Sequence, residues 1–170
     1  QTGVLTTRGG AVQPLALAQG IARVARAAGA QIFGGSEVTN LSRSGDLWEA
    51  KTQKGVIRAP WVILATNGYS GDLLPALKQS FLPVTPIQIA TDPLPEEQIK
   101  DVLPGGQTIS DTRRVIMYAR REPDNRMVFG GHGRVHSDGT VSGHDWLMKD
   151  AARIFPQIKQ SDWRYRWGGH

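Results

Sequence analysis

The chain has 170 residues, no cysteine, and 20 basic against 15 acidic side chains, which gives a net charge of +5 at neutral pH. A chain of this length buries roughly 70% of the surface that its unfolded form exposes, so it can form a hydrophobic core without disulfides or metals. The lack of cysteine excludes a disulfide framework, a cysteine-ligated metal site and a cysteine nucleophile from this chain. The composition also excludes collagen-like, coiled-coil and disordered proteins.

The basic residues are scattered along the chain, and no nucleic-acid-binding motif accompanies them. We therefore predict no nucleic-acid partner, because such partners are recognised by clustered positive charge. The sequence contains no run of about 18 apolar residues, so we also predict no membrane span. The start, Gln1-Thr2-Gly3, has neither the basic region of a leader nor an initiating Met. We expect a cytoplasmic protein. The oligomeric state is left open.

The first part of the chain predicts one helix followed by short strands. Pro14 suits a first helical position, apolar residues then recur at helical spacing, and Gly29 suits the end of a helix near residue 28. Residues 61–65 form a continuous apolar run, as expected of a strand buried on both faces. Other strands are predicted at residues 31–33, 37–41, 47–52 and 56–58, the last two as a hairpin.

Strands are more frequent after residue 80, where prolines mark the passage into a second structural layer. We predict a short helix that begins at Pro95, and a helix near residues 146–155 that Pro156 ends. The predicted strands are residues 87–91, 115–120, 127–129 and 163–167, with a polar loop up to Gly143. The fold class is therefore mixed α/β, with one domain at residues 1–80 and another at residues 81–170.

A few residues are candidates for chemistry, although the sequence has no Walker loop, no G-x-S-x-G, no H-E-x-x-H and no G-x-G-x-x-G. Gly130-Gly131 follows a predicted buried strand and could let a flat ligand approach, or could be a plain bulge or turn. Tyr118 and Arg120 alternate onto one strand face, where they could hold an anionic substrate or form a cross-strand pair. Three histidines between residues 132 and 144 lie in a glycine-rich loop, and we predict no metal site there.

Several short segments in order resemble the D-amino-acid-oxidase-type family of FAD-dependent oxidoreductases. They include the helix start Gly10-Ala11-Val12-Gln13-Pro14, the pair Glu37-Val38 and the run Ala65-Thr66-Asn67-Gly68-Tyr69. Further matches are Ala90-Thr91-Asp92-Pro93-Leu94 and Arg126-Met127-Val128-Phe129-Gly130-Gly131. Within the family, the series is similar to the amine-oxidase branch that contains gamma-glutamylputrescine oxidoreductase.

The resemblance implies a fold, a cofactor and a set of contacts. It implies part of a Rossmann-like FAD-binding domain, joined to a substrate domain with a mostly antiparallel sheet and flanking helices. The cofactor is FAD, with Val38 beside its adenine, the loop Thr66, Asn67 and Gly68 near the dinucleotide, and Gly130 and Gly131 near the flavin ring. Tyr118 and Arg120 become substrate-cavity residues, and no catalytic residue is assigned.

The resemblance also implies an activity. We expect a small-molecule amine or amino acid whose C–N bond is oxidised by hydride transfer to the flavin. The chain is expected to be a middle fragment of a longer enzyme, inactive alone and unable to supply a cysteinyl flavin bond. Two alternatives stay open, namely a non-catalytic ligand-binding module and an oxidase of the sarcosine, D-amino-acid or glycerol-phosphate type.

Overall fold

A computed structural model describes residues 3–82 and 84–169. The described residues form two compact units, one made of residues 3–17 with 84–169 and the other of residues 18–82. Both contain antiparallel sheets, and helices accompany them. The predicted mixed α/β class is confirmed. None of the helices within the described ranges is long and apolar enough to cross a membrane.

Helix α1, Pro14–Ala27, forms as predicted. The side-chain oxygen of Gln13 accepts a hydrogen bond from the Ala16 amide at 2.7 Å, which satisfies one of the free N–H groups of the first turn. Gly29 follows with φ of +95°, a left-handed conformation that suits glycine at a helix end. The apolar side chains of the helix remain exposed.

The sheet of the smaller unit is a three-stranded antiparallel meander of β1 (Val38–Ser44), β2 (Leu47–Thr52) and β3 (Gly55–Ala59), in that order. Strand β2 has the predicted bounds, and its hairpin with β3 is confirmed. Arg58 of β3 donates to Glu49 of β2 at 2.7 Å, so an ion pair joins the two strands. A single 3-10 turn, Asn67–Tyr69, and the short helix α2, Pro75–Lys78, follow.

Two predicted strands of this unit do not form. Residues 31–33 and 61–65 have no regular structure, and Trp61 and Ile63 are 84% and 90% exposed instead of buried. A strand exists only where a neighbour accepts and donates its backbone hydrogen bonds. The strands of the described chain pair with one another, and none of them pairs with either run. An apolar sequence supplies side chains to bury, but it does not supply that neighbour.

The larger unit is built on a five-stranded antiparallel sheet with the order β10-β4-β7-β6-β5. Its helices are α3 (Glu96–Ile99) and α4 (His144–Ile154), and α4 ends just before Pro156 as predicted. A separate two-stranded hairpin lies within the loop predicted up to Gly143. The strands are β4 (Pro86–Thr91), β5 (Thr108–Ser110), β6 (Tyr118–Arg121), β7 (Met127–His132), β8 (Arg134–Val135), β9 (Val141–Ser142) and β10 (Trp163–Gly168).

The hydrophobic core lies between α4 and one face of this sheet. Met127 and Phe129 are fully buried on alternate positions of β7, as are Ile87 and Ile89 on β4. The Phe129 ring meets the rings of Phe155 and Trp163 edge-on, each at 6.1 Å between centroids. Such pairs add about 0.5–1.5 kcal/mol each beyond the area they bury. This packing covers one side of the sheet.

Two predictions for the larger unit need correction. The strand predicted at residues 115–120 begins only at Tyr118, because the Asp111 carboxylate accepts the Met117 amide at 2.9 Å and holds the preceding segment in a turn. Gly130 and Gly131 do not end a strand, since β7 continues to His132. Both glycines are therefore interior positions of a paired, buried strand.

Replacing Thr91 with valine should destabilise the protein by about 1–3 kcal/mol, since a buried donor without a partner costs about that much. Thr91 is fully buried, and its hydroxyl oxygen accepts the Met127 amide at 3.0 Å. Valine has the same shape but offers no acceptor. Urea unfolding of T91V measures the loss, and T91S, which keeps the hydroxyl, is the control. Equal stabilities of T91V and T91S would contradict the assignment.

Asp111 should make the stability of the protein depend on pH in the acid range. Partial burial acts to raise the pKa of Asp111, but the hydrogen bond from Met117 and the hydrogen bond and charge of Arg113 outweigh it, and the pKa lies below its ordinary value. The stabilisation is therefore complete above the ordinary carboxyl pKa of about 3.9 and is lost as the pH falls through the lowered value. D111N should lower stability at pH 7 and flatten the decline of unfolding free energy below about pH 4. Unfolding measured across that range gives the slope, and a parallel decline in both proteins would contradict the role.

Candidate functional site

The face of the five-stranded sheet that α4 does not cover is a candidate binding surface. The cross-strand register places Tyr118 opposite Gly130 and Arg120 opposite Val128. Because side chains alternate along a strand, these residues share the face opposite to Phe129. We call this surface the open face; its members are Gln88, Ala90, Tyr118, Arg120, Val128, Gly130, Tyr165 and Trp167.

A cavity of about 560 Å³ lies on the open face. Apolar and aromatic side chains form much of its lining, and a few charged groups converge on it, which is the usual composition of a small-molecule site. Tyr165 and Trp167 are 46% and 43% exposed, so each presents aromatic surface. The charged lining residues are Arg120, Glu122, Asp124 and Arg126.

Gly130 and Gly131 make room on opposite sides of the sheet. A Cβ on Gly130 would overlap the Tyr118 ring, so that ring lies directly over the Gly130 backbone on the open face. A Cβ on Gly131 would lie 2.7 Å from Trp146 and 2.9 Å from Leu147, both on α4. One glycine thus admits the ring of a site residue, and the other admits the helix that closes the core.

Tyr118 has an altered acidity. Burial raises the pKa of its phenol above the ordinary value, although a hydrogen bond with Gln88 and the charge of Arg120 act in the opposite direction. A phenol with a raised pKa is fully protonated at neutral pH. Tyr118 can therefore donate a hydrogen bond on the open face at neutral pH.

The two arginines of the cavity are held differently. Arg120 donates to Glu122 at 2.8 Å through Nε and lies 2.7 Å from the same oxygen through Nη2. Arg126 donates from Nη1 to the Thr91 carbonyl at 3.0 Å, and its guanidinium lies 5.1 Å from the centre of the Tyr165 ring. Arg120 thus carries a close counter-ion, and Arg126 is held by a carbonyl and a ring.

The predicted dinucleotide contacts lie in the other unit, on separate elements. Val38 is half-buried at the start of β1 and pairs with Thr52, next to a crevice of about 220 Å³ that Glu37 and Lys54 help to line. The loop Thr66–Gly68 enters the 3-10 turn, where Asn67 has a φ of +47°.

That loop is held by its own side chains. The Thr66 and Ser70 hydroxyls lie 2.7 Å apart, and the Ser70 hydroxyl donates to the Asn67 carbonyl at 2.8 Å. Asn67 tolerates the left-handed conformation that the turn requires better than most residues do.

The histidines of the predicted polar loop have other partners. His136 lies 2.8 Å from the Ser142 hydroxyl across the hairpin, and His144 lies 3.2 Å from the Trp167 carbonyl. Across residues 3–82 and 84–169, no three carboxylates or histidines come together as metal ligands would. Both rings instead tie the hairpin and α4 to their surroundings.

Comparison with known families identifies the chain. The model of the family DAO, FAD dependent oxidoreductase, matches residues 1–170. The chain belongs to this family. The predicted family and its cofactor, FAD, are therefore confirmed.

Curated relatives match nearly the whole chain. It is 30% identical over 169 residues to the probable oxidoreductase OrdL of Rhizobium meliloti, and 31% identical over 169 residues to the gamma-glutamylputrescine oxidoreductase of Escherichia coli. Each match covers 98% of this chain and 39% of the relative. The chain thus spans about two fifths of the length of these relatives.

Solved structures of two oxidases share the fold. Glycine oxidase from Geobacillus kaustophilus superimposes with a TM-score of 0.63 at 23% identity, over 90% of this chain and 40% of that one. The open form of the amino acid oxidase NikD gives a TM-score of 0.56 at 22% identity, over 86% and 41% of the two chains.

The open face fits the flat ring system of a flavin. The Tyr118 ring lies over Gly130, and Trp167 and Tyr165 present aromatic surface on the same face of the sheet. Arg120 and Tyr118 are donors of the kind that flavin oxygen and nitrogen atoms accept. These residues of the larger unit can offer such a ring both apolar contacts and hydrogen bonds.

Several cavity residues did not emerge from the sequence. Tyr165 and Trp167 lie two positions apart in the strand predicted at residues 163–167, and that spacing is the signal in the sequence for a shared face. Arg126 and Glu122 flank the turn between β6 and β7. Their position in the cavity follows from the pairing of β6 with β7, which the sequence does not specify.

Replacing Gly130 with alanine should displace the Tyr118 ring, since the added methyl occupies its place. A ring that moves outward regains water, and the pKa of Tyr118 should fall toward its ordinary value. Spectroscopic titration of G130A against the wild type measures this, with Y118F identifying the signal. G131A is the matched control, because its methyl meets α4 instead; it should lower stability and leave the Tyr118 titration in place. An unchanged titration in folded G130A would contradict this geometry.

Proposed function

We propose that the whole protein oxidises the C–N bond of an amine or amino acid, with the open face forming one wall of its substrate cavity. The observation that supports this most directly is the difference between the two faces of the five-stranded sheet. One face is sealed by α4, and the other carries the Tyr118 phenol and a cavity lined by aromatic surface and two arginines. Membership in a FAD-dependent family supplies the redox chemistry.

FAD, when bound, supplies the acceptor for the hydride that leaves the carbon next to nitrogen. The described residues contribute binding and orientation. Tyr118 donates a hydrogen bond from a phenol that remains protonated, and Arg120 attracts an anionic group while Glu122 fixes its direction. Trp167 and Tyr165 contribute apolar contact surface to the same wall.

We assign the contacts with FAD to the residues that the resemblance named. Val38 lies beside the adenine, Thr66, Asn67 and Gly68 approach the dinucleotide, and Gly130 and Gly131 lie near the flavin ring. The crevice beside β1 supports the assignment of Val38, and the position of Gly130 on the open face supports that of Gly130. We also propose residues 1–80 and 81–170 as parts of a cofactor domain and a substrate domain, in a cytoplasmic enzyme.

A substrate like gamma-glutamylputrescine is the finer proposal, supported by the 31% identity to the Escherichia coli enzyme of that name. A panel of gamma-glutamylputrescine, putrescine, glycine, sarcosine, D-alanine and glycerol phosphate tests it with the purified full-length protein. Oxidation of the first compound alone would support it. Oxidation of glycine, sarcosine, D-alanine or glycerol phosphate instead would reassign the enzyme to the corresponding oxidase type. Flavin without turnover of any compound would favour a binding module.

Y118F and R120Q in the full-length enzyme should each lower kcat/KM about 10- to 100-fold, the usual effect of removing a substrate hydrogen bond or ionic contact. R153Q is the control, because Arg153 lies on α4, is exposed and pairs with Asp150. Steady-state rates on the preferred amine measure the effect. The proposal fails if the full-length protein neither contains FAD nor binds added FAD, or if both site variants match R153Q.

A further inference from the structure

Arg126 lies at one end of the open face, away from Tyr118. Tyr118 is paired with Gly130 across β6 and β7. Arg126 precedes Gly130 by four residues, which corresponds to about 13 Å along an extended strand. Both side chains are on the same face because Arg126, Val128 and Gly130 alternate with the buried Met127 and Phe129. The open face therefore has two chemically distinct ends.

The guanidinium of Arg126 is fixed in place before any ligand arrives. Nη1 donates to the carbonyl of Thr91 at 3.0 Å, and the guanidinium lies 5.1 Å from the centre of the Tyr165 ring. The hydroxyl of Tyr165 is itself held by Asp92 at 2.8 Å. A cation held by a backbone carbonyl and a ring loses little side-chain freedom when it binds an anion, so this arrangement favours binding.

The carboxylates around Arg126 leave part of its hydrogen-bonding capacity available. Asp124 lies 3.6 Å away and Asp92 lies 4.0 Å away, both longer than a hydrogen bond. Asp92 is shared with Arg164, 3.5 Å away, and Asp124 is 55% exposed. By contrast, Arg120 has Glu122 at 2.7 Å, with both side chains largely shielded from water. Of the two cavity arginines, Arg126 is the one with the weaker counter-ions.

We propose that Arg126 binds a carboxylate that the substrate carries at the end of its chain remote from the reacting amine. This rests on the proposed function, which puts the flavin ring near Gly130 and therefore the reacting amine at the Tyr118 end of the open face. The preferred substrates are then long amines that end in a carboxylate, and short amino acids cannot reach both ends. Arg126 sets specificity through binding and takes no part in the transfer of hydride.

Binding to the full-length FAD-loaded protein tests this by calorimetry with three probes: ω-aminooctanoate, octylamine of the same chain length without the carboxylate, and the short β-alanine. R126Q should weaken binding of ω-aminooctanoate about tenfold or more, the loss expected for a charge-assisted hydrogen-bonded pair. It should leave octylamine and β-alanine unchanged. R126K should show a smaller loss for ω-aminooctanoate, because an ammonium cannot form the paired contacts of a guanidinium.

Arg164 supplies the matched control. It also faces Asp92, but it is 67% exposed and is not among the cavity-lining residues. R164Q removes the same charge from the neighbourhood and should leave all three affinities unchanged. The proposal is overturned if R126Q leaves the ratio of ω-aminooctanoate to octylamine affinity unchanged, or if R164Q lowers that ratio equally. It is also overturned if R126Q weakens the binding of β-alanine as much as that of ω-aminooctanoate. Should R126Q fail to fold, an unchanged ratio in R126K overturns it.

The two proposals fail in different ways. A protein that binds ω-aminooctanoate through Arg126 and oxidises no amine refutes the proposed activity alone. If the enzyme oxidises amines and R126Q leaves the ratio of ω-aminooctanoate to octylamine affinity unchanged, only the remote carboxylate contact is refuted.

Discussion

The packing of α4 against one face of the five-stranded sheet is the constraint on which the larger unit depends. Phe129, Leu147 and Ala151 are fully buried in that interface. Gly131 is what lets the helix approach, since any side chain there would collide with Trp146 and Leu147. Once the apolar positions of β7 face α4, the strict alternation of a strand turns every other residue toward the opposite side. The core thereby determines which residues form the open face.

The chemistry of the open face follows from what that alternation places there. Gly130 leaves space that the Tyr118 ring fills, and the resulting burial raises the pKa of its phenol. The turn between β6 and β7 brings Glu122 against Arg120 and leaves Arg126 with a carbonyl and a ring. Two arginines close in sequence thus have different electrostatic surroundings, because Arg120 is paired with a near carboxylate and the carboxylates around Arg126 are more distant.

The sequence predicted local elements well where their causes are local. Helix α1 begins at Pro14, β2 and β3 form the expected hairpin, and α4 ends before Pro156, because caps, turns and proline act within a few residues. The apolar run at residues 61–65 met the pattern of a buried strand and is exposed instead. Its hydrogen-bonding neighbour would have to come from elsewhere, and no local pattern reports that.

The candidate site likewise combines features that the sequence predicts with features that only the tertiary structure shows. The sequence by itself determined the alternation that puts Tyr118 and Arg120 on one face, the family to which the chain belongs and its cofactor. Only the tertiary structure decided that Gly130 and Gly131 serve opposite faces, that Glu122 partners Arg120, and that Arg126 enters the same cavity. These relations depend on register between strands that are distant along the chain. Register is set by burial and long-range pairing rather than by any run of neighbouring residues.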